Sequence, residues 1–471
     1  MQLNRIKKIA CLLLVLLFTF SIIGCNGNKT SILDDTDIGA GNDDYGYNDD
    51  ASGNQGGNGG SVDKDDDSTV SKPIVNDDGY DPYAKLKDEV KGKTVRFLIN
   101  WSINDFEQKV IDNLKKDLGI TLKPVTVSTE LYQTKLTSMI ASNDSPDLCV
   151  MLSTDFPMMP LKNKLQAIDT SIIDIKKDSE LSLSTMDLFK WDDKYYGINC
   201  GGNWQGGPFF VYYNATLIKQ KGYKTPLQLY KAGNWNWDTF EELAKNMTDK
   251  SKNYYGFGCE STVQVAFLSS IKTDFVKVSN GKMTNNLNDA NLLKALSFVS
   301  NLKANGYMEP SLSGGKVDNR AMTLKGAWML QKQFYDHCYG DDGEVVPVPC
   351  PKGQKQVVAS QSRVISIVRG AKQTKAAHLA ARYFVDPDSY NMNDQIKSKQ
   401  MREMFYSASK SDNIYCGMGV GVAQYDDPQL YWDLLYLSEY SAADIPVKLK
   451  QHESVINGVI DKIKKDSALF N

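Results

Sequence analysis

Between Lys93 and Leu152 the chain alternates strand and helix signals, and this alternation narrows the fold more than any other stretch of the 471 residues. Thr94 to Ile99 is a short β-rich run. Asn104 to Leu118 reads as a helix, with Phe106, Val110, Ile111, Leu114 and Leu118 on one face and Gly119 as its stop. Ile120 to Val127 reads as a second strand and Glu130 to Ser142 as a second helix. After the turn Asn143-Asp144-Ser145-Pro146, Asp147 to Leu152 makes a third strand. Strand, helix, strand, helix, strand favours a parallel sheet covered on both faces. Ligands of such sheets lie at the carboxyl ends of the strands. That rule places Asn100, Trp101 and Ser102 at one rim position, and Ser153, Thr154 and Asp155 at another.

The chain begins differently. Arg5, Lys7 and Lys8 precede a nearly unbroken apolar run from Ile9 to Gly24, which is short for a membrane span and flanked like a secretory signal. It ends Ser21-Ile22-Ile23-Gly24-Cys25, which resembles the lipobox of bacterial lipoproteins. That resemblance implies a signal peptide over 1–25, diacylglycerol on the Cys25 thiol, and a chain held by lipid on the extracytoplasmic face of the cell membrane. Residues 26–80 are mostly Gly, Asn, Asp and Ser, with too little apolar surface to offset the entropy of ordering. They read as a disordered acidic tether. Its Asp pairs lack the spacing of a calcium loop, and no metal site is expected.

Charge separates tether from body. The leader carries +3, the tether −10 and the whole chain −3, which leaves +4 on the remaining residues. A balance that mild over roughly 390 residues excludes the dense basic patch of a nucleic-acid binder. A body of this size exceeds what one hydrophobic core usually serves, so two lobes are expected. Its six cysteines (Cys149, Cys200, Cys259, Cys338, Cys350, Cys416) form no Cys-x-x-Cys pair and no zinc-like spacing. They read as buried small residues, with one or two disulfides left open for an exported chain.

Several short motifs then fall in one order. Lys93 to Ile120 with Asn143-Asp144-Ser145-Pro146-Asp147-Leu148 opens the series. Lys194-Tyr195-Tyr196-Gly197-Ile198 and Tyr212-Tyr213-Asn214 follow, then Trp235-Asn236-Trp237-Asp238-Thr239-Phe240. Ala321-Met322-Thr323-Leu324-Lys325-Gly326-Ala327-Trp328 and Val346-Pro347-Val348-Pro349 with Pro351-Lys352-Gly353 complete it. Together they resemble family 1 extracellular solute-binding proteins, the sugar-binding components of ABC importers, of which maltodextrin-binding protein is a relative. The resemblance implies an α/β, two-lobe, periplasmic-binding-protein-like (type II) fold over 81–471, with hinge crossings and a helical C-terminal region. Lobe 1 is expected at about 86–197 and 325–385, and lobe 2 at about 214–320 plus part of 386–471. It also implies a monomer that binds an oligosaccharide and partners ABC permease subunits, with no cofactor and no catalysis.

Sugars present C–H faces as well as hydroxyls, so their sites need flat aromatic platforms with short polar groups at the ring edge. The family motif makes Trp328 the cleft tryptophan. Trp101 stands on the loop after the first strand with the Asn100 amide beside it. Trp204 and Gln205 lie in the glycine-rich stretch Cys200 to Gly207, where an indole finds little to pack against. Asp155 occupies a position of polar ligand contacts in relatives, which a helix cap explains nearly as well. Glu260, with Gln264, is carried over by position alone, and Trp432 by the aromatic that relatives keep in the C-terminal helices. Trp235 and Trp237 flank a probable N-cap at Asn236 and read as packing. The cleft candidates are rich in Trp and weakly charged, which favours a neutral oligosaccharide. Arg320 and Arg363 are the only arginines near predicted cleft segments. The alternatives are an exported carbohydrate-active enzyme and a surface glycan receptor without an importer. Among three His there is no nucleophile pattern, no Gly-x-Ser-x-Gly and no His-Glu-x-x-His.

Overall fold

A computed structural model describes residues 79–200, 207–259, 263–310, 317–331, 334, 337–386, 395–409, 411, 413–417, 419–423 and 428–467. All of them fall in the compact unit Asp65–Asn471. Cys25, nearly all of the expected tether, Trp204, Gln205 and Glu260 lie outside the described residues.

The chain builds its first sheet as the alternation predicts. Strand β1 (Thr94–Ile99) leads to helix α1 (Asp105–Leu118), whose N-terminus is closed by a reciprocal capping box between Asn104 and Glu107. Gly119 ends that helix at φ 68°, a left-handed conformation that suits glycine. Strand β2 (Thr121–Thr126) and helix α2 (Thr129–Ala141) follow, then β3 (Leu148–Leu152). Strands β1 and β2 pair in parallel from Thr94↔Thr121 to Ile99↔Thr126, and β1 pairs in parallel with β3. After β4 (Leu165–Gln166) comes a small hairpin, β5 (Lys190–Trp191) with β6 (Lys194–Tyr195).

A second sheet follows. It takes in β7 (Phe209–Asn214), β8 (Tyr255–Cys259), β11 (Arg320–Gly326) and β12 (Gly343–Pro347), in the order β12-β7-β11-β8. Helix α3 (Trp237–Met247) precedes β8, and α4 (Val263–Ser270) follows it. The hairpin β9 (Val276–Ser279) and β10 (Lys282–Asn285) and helix α5 (Ala290–Ala304) complete this part. The core here is aromatic: Trp237 stacks on Phe298 at 4.4 Å, and Phe240, Phe257 and Phe267 close around them. Trp235 and Trp237 are buried, as expected, and their indole N–H groups donate to the carbonyls of Pro347 and Pro349.

The chain returns through β13 (Val358–Ser360) into β14 (Arg363–Val368), which runs antiparallel to β3 and completes the first sheet in the order β2-β1-β3-β14-β4. Helix α6 (Thr374–Phe384) packs on that sheet. Its Arg382 is buried between the carboxylates of Asp178 and Asp386. The two sheets therefore define two α/β lobes. One expected boundary is corrected: 325–347 does not belong to lobe 1. Strand β11 pairs with β7 and β8, and β12 with β7, so this stretch is part of the second sheet. The aromatic run Phe209 to Tyr213 needs partners on both sides, and β11 and β12 supply them.

The C-terminal region attaches to lobe 2. In helix α7 (Lys399–Ser409), Gln400 both donates to and accepts from the Val345 backbone of β12. Strand β15 (Ile414–Cys416) pairs in parallel with β13. Helices α8 (Gly419–Ala423), α9 (Pro428–Leu435) and α10 (Ile445–Ser467) complete the chain. Gln264 of α4 is buried, donating to the Leu434 carbonyl and accepting from Ser438 N–H, and so ties the second lobe to these helices. All six body cysteines are buried, and no disulfide forms among them.

Candidate ligand-binding cleft

Strand direction decides which edges can face a ligand. In lobe 1 the carboxyl ends of β1 and β3 lead to Asn100-Trp101 and Ser153-Thr154-Asp155, and Arg363, at the start of antiparallel β14, pairs with Leu152 at the same edge. In lobe 2 the carboxyl ends of β8 and β11 lead to Cys259 and to Ala327-Trp328, beside the start of β7. The crossing segments bring these edges together. Ile198 bridges to Ile365, and Pro208 bridges to Ser360. Asn199 Nδ2 donates to the Arg363 carbonyl at 2.8 Å, and Ala327 N–H donates to the Pro208 carbonyl at 2.9 Å.

Trp328 lies one residue beyond that last bond, in the 3-10 turn Ala327–Leu330. It is half-buried, set edge-on to Phe209 with ring centroids 6.5 Å apart. Its six-membered ring folds over Gly326, where a Cβ would come within 1.8 Å of it. Glycine is thus required at 326 to seat the indole at the lobe junction.

Trp101 is more constrained than an open platform. Its indole N–H donates to both carboxylate oxygens of the fully buried Glu107, at 3.2 and 3.1 Å, and its edge meets Phe97. The Arg363 guanidinium stands 4.7 Å from the ring centroid, a cation–π contact that covers one face. Asn100 Nδ2 donates to Thr129 Oγ1 at 3.1 Å. Arg320 is buried and paired with Glu309 at 2.8 Å, so it serves the second sheet.

Asp155 is engaged inside lobe 1. One carboxylate oxygen accepts from Leu152 N–H at 3.1 Å and the other from Gln133 Nε2 at 3.0 Å. Lys164 Nζ donates in turn to Gln133 Oε1 at 2.9 Å. The residue as a whole is only half-buried, but its carboxyl lies inside, and burial pushes its pKa up to about 6 against the opposing pull of these donors. Burial and the neighbouring Lys162 lower the pKa of Lys164. A cavity of about 170 Å³ opens here, lined by Gln133, Asp155, Met159, Lys162 and Lys164 of lobe 1 and by Gly421 of lobe 2. It is smaller than the roughly 300–1,000 Å³ of ordinary small-molecule sites, so in this arrangement it can take at most one end of an extended ligand.

Trp432 is 45% exposed on α9, stacked on Tyr436 at 5.9 Å and edge-on to Tyr431. Burial, with the Asp155 charge, raises the Tyr431 pKa to about 12. Sequence reasoning did not single out Gln133, Lys164, Tyr431 or Gly421. Each acquires its place only through long-range packing, with no local motif to announce it.

The profile of the bacterial extracellular solute-binding proteins matches residues 100–390. The chain belongs to that family. Its members are binding proteins, and the two-lobe α/β fold described above is theirs. The Escherichia coli K12 protein YcjN, assigned by name to ABC-transporter periplasmic binding, is 22% identical over 260 residues. The alignment covers 52% of this chain and 55% of YcjN, so the chain spans about half the length of that curated relative. Among solved structures, the sugar-binding protein MalE of Xanthomonas citri superposes with a TM-score of 0.59 at 16% identity, covering 80% of this chain and 99% of MalE. The substrate-binding protein Lmo0181 of Listeria monocytogenes, solved with cycloalternan, gives 0.56 at 17%, covering 79% of this chain and 98% of Lmo0181. At such identities these likenesses establish the shared fold of the family.

Proposed function

We propose that this family member is an extracellular, lipid-anchored receptor that captures a carbohydrate, a neutral oligosaccharide, between its lobes and delivers it to an ABC importer. The observation that carries the reading is Trp328, a half-buried indole hung at the end of β11 where the crossing segments join the lobes. Trp432, exposed on the α9 surface, adds a second aromatic face. Flat indoles with amides and hydroxyls near them suit pyranose rings. The relatives support the same class: MalE is named a sugar-binding protein, and Lmo0181 was solved with a cyclic oligosaccharide. Asn100, Trp101, Trp204, Gln205, Asp155 and Glu260 complete the proposed contact set, and the Arg363 guanidinium covers one face of the Trp101 indole. Anchoring rests on Cys25, and transfer to permease subunits rests on the family.

A ligand that touches both lobes stabilises their closure by its differential affinity for the closed state. Thermal-shift measurements against oligosaccharides, with amino acids, peptides and polyamines as controls, test the proposal. A midpoint that climbs with one glycan series, with the glycan recovered intact, supports it. Stabilisation by peptides or polyamines alone would replace the ligand class. Cleavage of the glycan would move the chain to the enzymes.

A further inference from the structure

Helix α8 is short and carries two glycines, Gly419 and Gly421, in the run Gly-Val-Gly-Val-Ala. Glycine inside a helix costs about 1 kcal/mol relative to alanine, so this composition needs a reason. Neither residue has a positive φ, which rules out a conformational one. The reason is space. A Cβ on Gly419 would lie 2.4 Å from the Val276 carbonyl oxygen and 2.5 Å from Val276 N, both in β9 of lobe 2. A Cβ on Gly421 would lie 1.6 Å from the Thr154 carbonyl oxygen, in the 3-10 turn Ser153–Asp155 of lobe 1. One helix therefore meets backbone of both lobes through two bare Cα atoms.

Both sides of the contact are held rigidly. On the lobe 2 side, Gly417 N–H donates to Ser269 Oγ at 3.2 Å, and Gly419 N–H donates to Oδ2 of the buried Asp274. On the lobe 1 side, the chain of Lys164, Gln133, Asp155 and Leu152 N–H fixes the turn that presents Thr154. Backbone against backbone has no side-chain rotamers with which to yield. We infer that the seat of Gly421 on the Thr154 carbonyl is a closure stop, setting how near the two lobes approach. Gly421 acts as a positioning residue: it fixes the separation at which a ligand can touch both lobes. The inference rests on the capture reading only for its consequence on affinity.

The test attaches a donor and an acceptor to azido-phenylalanines at Leu131 of lobe 1 and Tyr223 of lobe 2, both exposed, in the full chain. Single-molecule transfer efficiency is read without ligand for the parent, Gly421→Ala, Gly421→Leu and Gly458→Ala. Gly458 lies on α10 with nothing within 4 Å of its would-be Cβ. The stop predicts a shifted distance distribution for both Gly421 variants, larger for Leu, and none for Gly458→Ala. Gly421→Ala keeps the helix former's advantage, so it guards against simple unfolding of α8. An unchanged distribution in folded Gly421→Ala and Gly421→Leu overturns the inference. With maltotetraose as probe, a Kd raised about 10-fold or more in Gly421→Leu is expected, a change of one decade in affinity. If the parent responds to no glycan series, the oligosaccharide form of the capture reading fails, while the ligand-free distances still decide the stop.

Discussion

At the scale of single residues, burial separates the tryptophans that support the fold from those available to a ligand. Trp235 and Trp237 are enclosed, with their N–H groups satisfied by proline carbonyls. Trp328 is only half-buried and packs edge-on. Trp328→Ala should therefore abolish glycan-induced stabilisation while costing the empty protein little. An unliganded loss near the ~3–5 kcal/mol of a core tryptophan would mark it as packing instead. Asp155 makes a different prediction. Its pKa is raised to about 6, so the folded chain holds that proton more tightly than the unfolded chain does. The stability it contributes is complete below pH ~4 and lost as pH climbs through about 6, on the order of 3 kcal/mol. Asp155→Asn should flatten the fall in thermal midpoint between pH 4 and 7 relative to the parent. An identical slope in the two chains would show that the carboxyl is not enclosed. The sequence already offered Asp155 as either ligand contact or cap. It could not show that both oxygens are committed within lobe 1, because Gln133 and Leu152 reach them only once α2 packs on the sheet.

At the scale of elements, what was legible was local. The first sheet's strands and α1 follow from apolar periodicity, and its end from Gly119. Helix α3 begins at Asn236, whose side chain accepts from Asp238 and Thr239 N–H while Thr239 reaches back to the cap. Asn236→Ala should cost about 1 kcal/mol in denaturant unfolding. A change below a few tenths would mean that packing of Trp235 and Trp237 fixes the helix start without the cap. The misassigned boundary at 325–347 has the opposite origin. Strands β11 and β12 are apolar runs, and nothing in their residues states which sheet receives them. Pairing with the Phe209 to Tyr213 run decides it, over more than a hundred residues of separation. Helix α8 depends on packing in the same way: its Gly-Val-Gly run is placed where two backbones close on it.

At the scale of the whole molecule, the two lobes meet along three strips of chain near the cleft: around the Ile198↔Ile365 bridge, around the Pro208↔Ser360 bridge, and along the strand Ile414–Cys416 laid beside β13. Closure must be accommodated in those strips, because the strands on either side are hydrogen-bonded into sheets over buried cores. The lobes follow from chain length and from the resemblance, whereas the strips' contacts join residues far apart in the chain, such as Ile198 with Ile365 and Pro208 with Ser360. Anchoring is a separate property of the whole chain. Cys25→Ser should move the protein from the membrane fraction to the medium or periplasm, and persistence in membranes would remove the lipid-anchor proposal.

The six enclosed thiols give the body an internal counter. Burial raises the pKa of Cys149, Cys200, Cys350 and Cys416, so in the folded chain these sulfurs are both hidden and protonated. Brief exposure to a thiol-reactive mass tag would leave folded bodies unmarked and mark unfolded ones up to six times. Intermediate tag numbers would reveal one lobe opening while the other holds: Cys149 and Cys200 report on lobe 1, and Cys259 and Cys338 on lobe 2.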